Sequence, residues 1–225
     1  MNQDQRDQAI EEAIAQRHAH YAAMGEVYGE VFASMIHPGL AGGMTWPANQ
    51  PQYRAIQTPA STIIITDGLS DPFRDPARDP DFLYNGYSLE LYFELEGHVE
   101  FGDLIGHFGL GMLSQVSQAV LGHGQFADMF AQIGHLAMSL WGAQALPEIY
   151  RSENSTYGVL MGGPSPNVPS HISLNLEEVA LISICLLDAD QLIAATNRVS
   201  GGEFRSNLLR ELQEAGSHVY TPLSL

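Results

Sequence analysis

From Gln3 to about Ile36 the apolar residues Ile10, Ile14, Tyr21, Met24, Tyr28, Val31 and Met35 recur mostly at steps of three and four, as one face of an α-helix requires. Arg17 alone interrupts the stripe, Glu11, Glu12, Gln16, Glu26 and Glu30 take the opposite face, and Pro38-Gly39 stops the pattern. The spacing predicts a long amphipathic N-terminal helix within residues 1–38. Its seam would either dock on the same chain or form a homodimer contact.

Residues 39–59 are rich in Pro and Gly and read as a loop holding one short strand near Tyr53 to Ile56. The β-branched run Ser61 to Thr66 predicts a central strand, and Asp67 to Asp81, with Asp-Pro at 71, 75 and 79, predicts a loop. Between Tyr87 and Glu96 apolar residues alternate with polar ones, so Tyr87, Leu89, Leu91, Phe93 and Leu95 make a core face and Glu90, Glu94 and Glu96 an acidic one. Helices are expected over Asp103 to Leu121 and Phe126 to Trp141, the first weakened by Gly106, Gly109 and Gly111. Strands follow over Gly158 to Met161, Ser170 to Leu174 and Val179 to Leu187, the last apolar enough for burial on both faces. Asp188 or Asp190 caps a short helix through Thr196. Ser200 with Glu203 forms a capping box for a helix to Glu214, and His218 to Thr221 makes a final strand. The whole predicts an α+β fold: one domain across 1–225, a mixed, largely antiparallel sheet covered by helices, with the long N-terminal helix in front.

Charge changes this picture more than length does. Of 225 residues, 26 are acidic and nine basic, for a net charge of −17, and all nine basic residues are Arg. Such a field repels phosphate backbones and anionic lipid while accelerating encounter with a cationic protein. Nucleic acid and membrane are therefore disfavoured as partners. No apolar run approaches the roughly 18 residues of a membrane span, and the N-terminus has no basic-plus-apolar leader, so a cytoplasmic location is expected. The single Cys185, inside an apolar run, reads as a buried, inert thiol.

Tests for chemistry come out mostly negative. Gly68-Leu69-Ser70-Asp71-Pro72 lacks the second Gly of a nucleophile elbow, no His-Glu-x-x-His occurs, and His18 and His20 point in different directions from a helix. His107, His123 and His135 would meet only through folding. The aspartates at 71, 75, 79 and 81 lack EF-hand spacing and have Arg74 and Arg78 among them. No glycine motif for phosphate is present, so no cofactor and no metal is assigned. An acidic loop with aromatic anchors (Asp71, Phe73, Asp75, Asp79, Asp81, Phe82 and Tyr84) instead has the composition of a contact surface for a basic polypeptide.

The strand Ile63 to Thr66, the turn Asp67-Gly68-Leu69-Ser70-Asp71, a variable loop, and Gly86-Tyr87-Ser88-Leu89-Glu90-Leu91-Tyr92-Phe93 together resemble the signature of the Suppressor of fused family. Weaker similarity extends over most of the chain after about residue 50. The resemblance covers a single domain, without the additional C-terminal domain of the animal proteins, and is expected to be to short bacterial members that look like immunity proteins against polymorphic toxins. The resemblance implies protein binding without catalysis, a toxin domain being one kind of partner. The signature residues Gly68, Leu69, Ser70, Gly86, Glu90 and Leu91 also read as architecture: Gly68 supplies an unusual backbone angle, Ser70 or Asp71 bonds a nearby amide, and Gly86 permits close approach. Two rivals remain at this point, a hydrolase or small-ligand protein around Ser70 and Asp67, and a scaffold that self-associates through the N-terminal helix.

Overall fold

The alternating and β-branched runs form the centre of one eight-stranded sheet. The computed structural model describes residues 3–33, 46–47, 51–73, 83, 86–143 and 146–215. Among these lie α1 (Gln3–Met24), β1 (Glu26–Ala33), β2 (Gln52–Gln57), β3 (Ser61–Asp67), β4 (Leu89–Glu96), α2 (Phe101–Leu104), α3 (Phe108–His123), α4 (Phe126–Ile133), β5 (Leu136–Trp141), β6 (Thr156–Met161), β7 (His171–Ser173), β8 (Glu178–Leu187), α5 (Ala189–Ala195) and α6 (Gly201–Glu214). The strand order is β1-β2-β3-β4-β8-β6-β5, with β7 also on β8. Only β4 and β8 run parallel; the other pairs are antiparallel, so the fold is α+β.

Side-chain alternation divides the core between the two faces of the sheet. Leu89, Leu91, Phe93 and Leu95 of β4 pack with Met112, Leu113, Val116 and Val120 of α3 and with Phe126 of α4. The opposite face carries Ile63, Ile65 and Tyr92 against Tyr21 of α1, and, farther along, Leu160, Cys185 and Leu187 against Leu192, Phe204 and Leu208 of α5 and α6. Burial pushes the Cys185 thiol up to about 12, which leaves it protonated and unreactive at neutral pH. No helix among the described residues is long and apolar enough to cross a membrane.

Three expectations are corrected. The N-terminal helix stops at Met24, and the rest of its apparent stripe is strand β1. At Gly25 a Cβ would sit 2.2 Å from the Gln57 carbonyl oxygen, so glycine alone permits the close turn. Val27, Tyr28, Val31 and Phe32 then suit a pleated strand, with the Tyr28 hydroxyl donating to the Val99 carbonyl at 2.7 Å and Phe32 stacking on Phe101. The helix predicted over 103–121 is broken into α2 and α3 by Gly106, whose φ is +80°. The one predicted over 126–141 ends at Gly134, with φ +77°, and continues as β5 paired with β6.

The capping readings divide. Asp188, not Asp190, caps α5 in a reciprocal box with Gln191. Ser200 makes no side-chain cap for α6; instead Asn197 Oδ1 accepts from the amides of Val199 and Ser200. The strand expected over His218 to Thr221 lies outside the described residues.

Candidate functional site

The signature turn encloses a carboxylate. β3 ends at Asp67 and β4 runs antiparallel beside it, which places Glu90 beneath residues 68–70. Glu90, fully buried, accepts hydrogen bonds from the Gly68, Leu69 and Ser70 amides at 3.1, 3.4 and 2.9 Å, from Ser70 Oγ at 2.6 Å and from Thr66 Oγ1 at 2.5 Å. Gly68 turns at φ +126° and Gly86 at +52°. A Cβ on Gly86 would meet the Leu69 carbonyl oxygen at 2.1 Å, so the chain passes there only as glycine.

Above this carboxylate sits the residue that breaks the helical stripe. Arg17 follows Ala13 and precedes Tyr21 at four-residue steps, and all three are buried on the face of α1 that docks on the sheet. Its guanidinium lies 2.8 Å from Asp67 Oδ1, 2.6 Å from Asp71 Oδ1 and 3.7 Å from Glu90, and donates to Ser70 Oγ at 3.1 Å. Asp67 also receives Arg54 Nε at 2.5 Å and contacts His18 Nε2 at 3.1 Å. Burial alone would raise the Asp67 pKa; His18, Arg17 and Arg54 override it and hold the carboxyl well below the usual range. For Glu90 the balance reverses, and burial raises its pKa despite Arg17 and its hydrogen bonds. The arrangement is a sealed ionic lock that fastens α1 to the sheet. It also withdraws Ser70 from any substrate: its Oγ is inaccessible, donates to the equally buried Glu90 and accepts from Arg17.

A second carboxylate on the same face of β4 organises open space. Glu94, 2 % exposed, accepts from Ser61 Oγ, from Asn167 Nδ2 at 2.6 Å and from Ser165 Oγ at 2.8 Å. Ser183 Oγ donates to the Gly163 carbonyl at 2.7 Å. These bonds fix the segment 162–170 that joins β6 to β7. Between it and α4 lies a groove of about 1090 Å³, whose lining includes Ala127, Phe130 and Ala180 together with Asp128, Glu177 and Glu178.

Of the residues nominated for partner binding, the described structure holds Asp71 and Phe73. Asp75, Asp79, Asp81, Phe82 and Tyr84 lie outside the described residues. Asp71 is turned inward onto Arg17, and Phe73 stacks on Tyr87 with ring centroids 6.4 Å apart. Ser70 and Asp71 serve the ionic lock, not a turn amide. The Glu90 side of β4, expected as an acidic face, is buried from Glu90 to Glu94. Arg17, Arg54, Glu94, Ser165 and Asn167 were not singled out by sequence as site residues; a lone charge on an apolar helical stripe was the available signal for Arg17. His107 caps α3, His123 meets Phe126 edge-on, and His135 bonds Ser206. Among the described residues no group of three or more His, Cys, Asp and Glu is arranged to hold a metal ion.

No protein-family description matches this chain, and no curated protein matches it. Solved structures do. The chain is similar to the Sufu-Fu complex crystal structure, at 16 % identity over 96 % of this chain and 90 % of that one, with a TM-score of 0.53. It is also similar to Drosophila Suppressor of Fused, at 15 % identity, 96 % of this chain and 50 % of that chain, again with a TM-score of 0.53. The chain thus spans about half the length of the Drosophila protein. At this identity the likeness establishes a Suppressor of fused-like fold.

Proposed function

We propose that this chain is a non-catalytic binding protein that captures and neutralises a basic polypeptide in the cytoplasm, in its most concrete form an immunity protein against a polymorphic toxin. The observation that carries the reading is the fate of Ser70. The serine that sequence nominates for chemistry is locked into a packed ionic network. The remaining asset is a surface with a large acidic excess, which attracts cations and steers encounter. A structure of the same fold is described as a complex of Sufu with Fu, where the fold is found with another polypeptide. Self-association through α1 is disfavoured, because its buried face of Ala13, Arg17 and Tyr21 is already used against its own sheet.

The acidic and aromatic loop that begins at Asp71 remains the proposed first contact, through Asp75, Asp79, Asp81, Phe82 and Tyr84, since Asp71 is engaged internally. The test is capture of the tagged chain from its own lysate at low and high salt, followed by titration of the retained polypeptide. Near-stoichiometric, salt-sensitive retention of a basic protein is expected, and D75N/D79N/D81N weakens it and flattens its salt dependence. Recovery of the chain alone, even with neighbouring gene products co-expressed, rejects the reading; unchanged affinity at low salt removes the loop from it.

A further inference from the structure

The groove between α4 and the 162–170 segment has the chemistry of a seat for donors. Its rim draws carboxylates from separate elements: Asp128 in the first turn of α4, and Glu177 and Glu178 at the start of β8. Among the described residues no arginine lines it, and His171 is the one basic side chain there. Its lining contains Pro164, Pro166 and Pro169, each of which has a backbone carbonyl and no N–H. Three carboxylates against one imidazole make the lining net negative, while Ala127, Phe130 and Ala180 give it partly exposed apolar surface. The volume, about 1090 Å³, slightly exceeds the roughly 300–1,000 Å³ of small-molecule pockets and suits several residues of extended chain. The wall is also held in place before any ligand arrives, by the bonds from Ser165 and Asn167 to Glu94 and from Ser183 to Gly163.

We infer that this groove seats an extended, arginine- or lysine-bearing segment of the partner polypeptide, its cationic groups at Asp128, Glu177 and Glu178 and its apolar side chains on the partly exposed Ala127, Phe130 and Ala180. The inference rests on the binding reading above and adds its location. Ser88 Oγ already donates to Glu177 at 2.8 Å, which orients that carboxylate at the mouth.

The test uses the full chain, isotopically labelled, and a fluorescent nonapeptide of alternating arginine and valine as probe, with versions carrying serine or glutamate in place of arginine. Expected are chemical-shift changes confined to α4, residues 162–171 and residues 177–182, and binding of the arginine peptide alone. D128N/E178Q weakens it about tenfold or more, whereas E11Q/E203Q, which removes the same charge from exposed positions on α1 and α6, changes affinity by less than about twofold. Equal loss in both double variants means binding to the diffuse field and overturns the groove, as do shifts elsewhere or equally tight binding of the serine peptide. The outcomes separate cleanly from those of the capture experiment: a partner retained equally by D128N/E178Q sinks the groove and leaves the binding reading standing.

Discussion

Glu90 and Glu94 stand on the same face of β4, one helical-turn's count of residues apart, and both are almost fully withdrawn from water. Their partners differ. Glu90 accepts three backbone amides and two hydroxyls and faces the Arg17 guanidinium, so its charge is compensated by a cation from a helix at the other end of the sequence. Glu94 is held by neutral donors, Ser61, Ser165 and Asn167. The first arrangement closes a joint between α1, the β3 turn and β4. The second holds one loop at the border of a groove. Buried charges of the same type on one strand thus serve different ends, according to whether the neighbouring segment brings a cation and seals or brings neutral donors and stays open.

The sharpest way to break this comparison is to remove the cation. Arg17→Met leaves Asp71 and Glu90 without their cation and Asp67 with only Arg54 and His18, and removing one partner of a buried ion pair costs about 3–5 kcal/mol. Urea unfolding at pH 7 is the measurement, and a loss under about 1 kcal/mol would show that the lock does not hold the helix. Glu90→Gln comes next, at roughly 2–3 kcal/mol, since an amide in that place loses charge-assisted bonds and points a donor at amides that also donate. Glu94→Gln ranks third, at about 1–2 kcal/mol, with faster amide hydrogen exchange confined to residues 162–170. If Glu94→Gln proved as damaging as Arg17→Met, the distinction between lock and loop anchor would collapse.

The gentlest effect is on pH dependence. Asp67 has a lowered pKa in the fold, so its contribution is complete above the ordinary aspartate range and is lost as pH falls below about 4. Glu90, whose pKa is raised, acts with the opposite sign: the folded state favours its protonated form, and stability from it fades as pH rises through that higher value. The two act in adjoining windows, so Asp67→Asn is expected to flatten the rise of stability with pH below about 4, while Glu90→Gln removes a fall of stability with pH above about 4.5. The reverse pattern in urea titrations would mean that the assignments are exchanged.

Local patterning determined much of this protein. The β-branched run of β3, the alternation of β4 and the apolar run of β8 all express preferences carried by neighbouring residues, and each is read from a short window, as is a cap for α5 at Asp188 or Asp190. The signature turn was likewise legible as architecture, because glycine at positions 68 and 86 announces backbone that other residues avoid. The tertiary structure alone decided the rest. β1 and β5 continue helical spacing and become strands because β2 and β6 offer ladders beyond Gly25 and Gly134, a choice set by distant partners and not by propensity. Arg17 meets Asp67 fifty residues away, and Asn167 meets Glu94 seventy-three away. Whether a charge on an apolar stripe is an interruption or an anchor depends on which opposite charges the fold delivers to it, because burial of an ion is tolerable only with a partner that no local window contains.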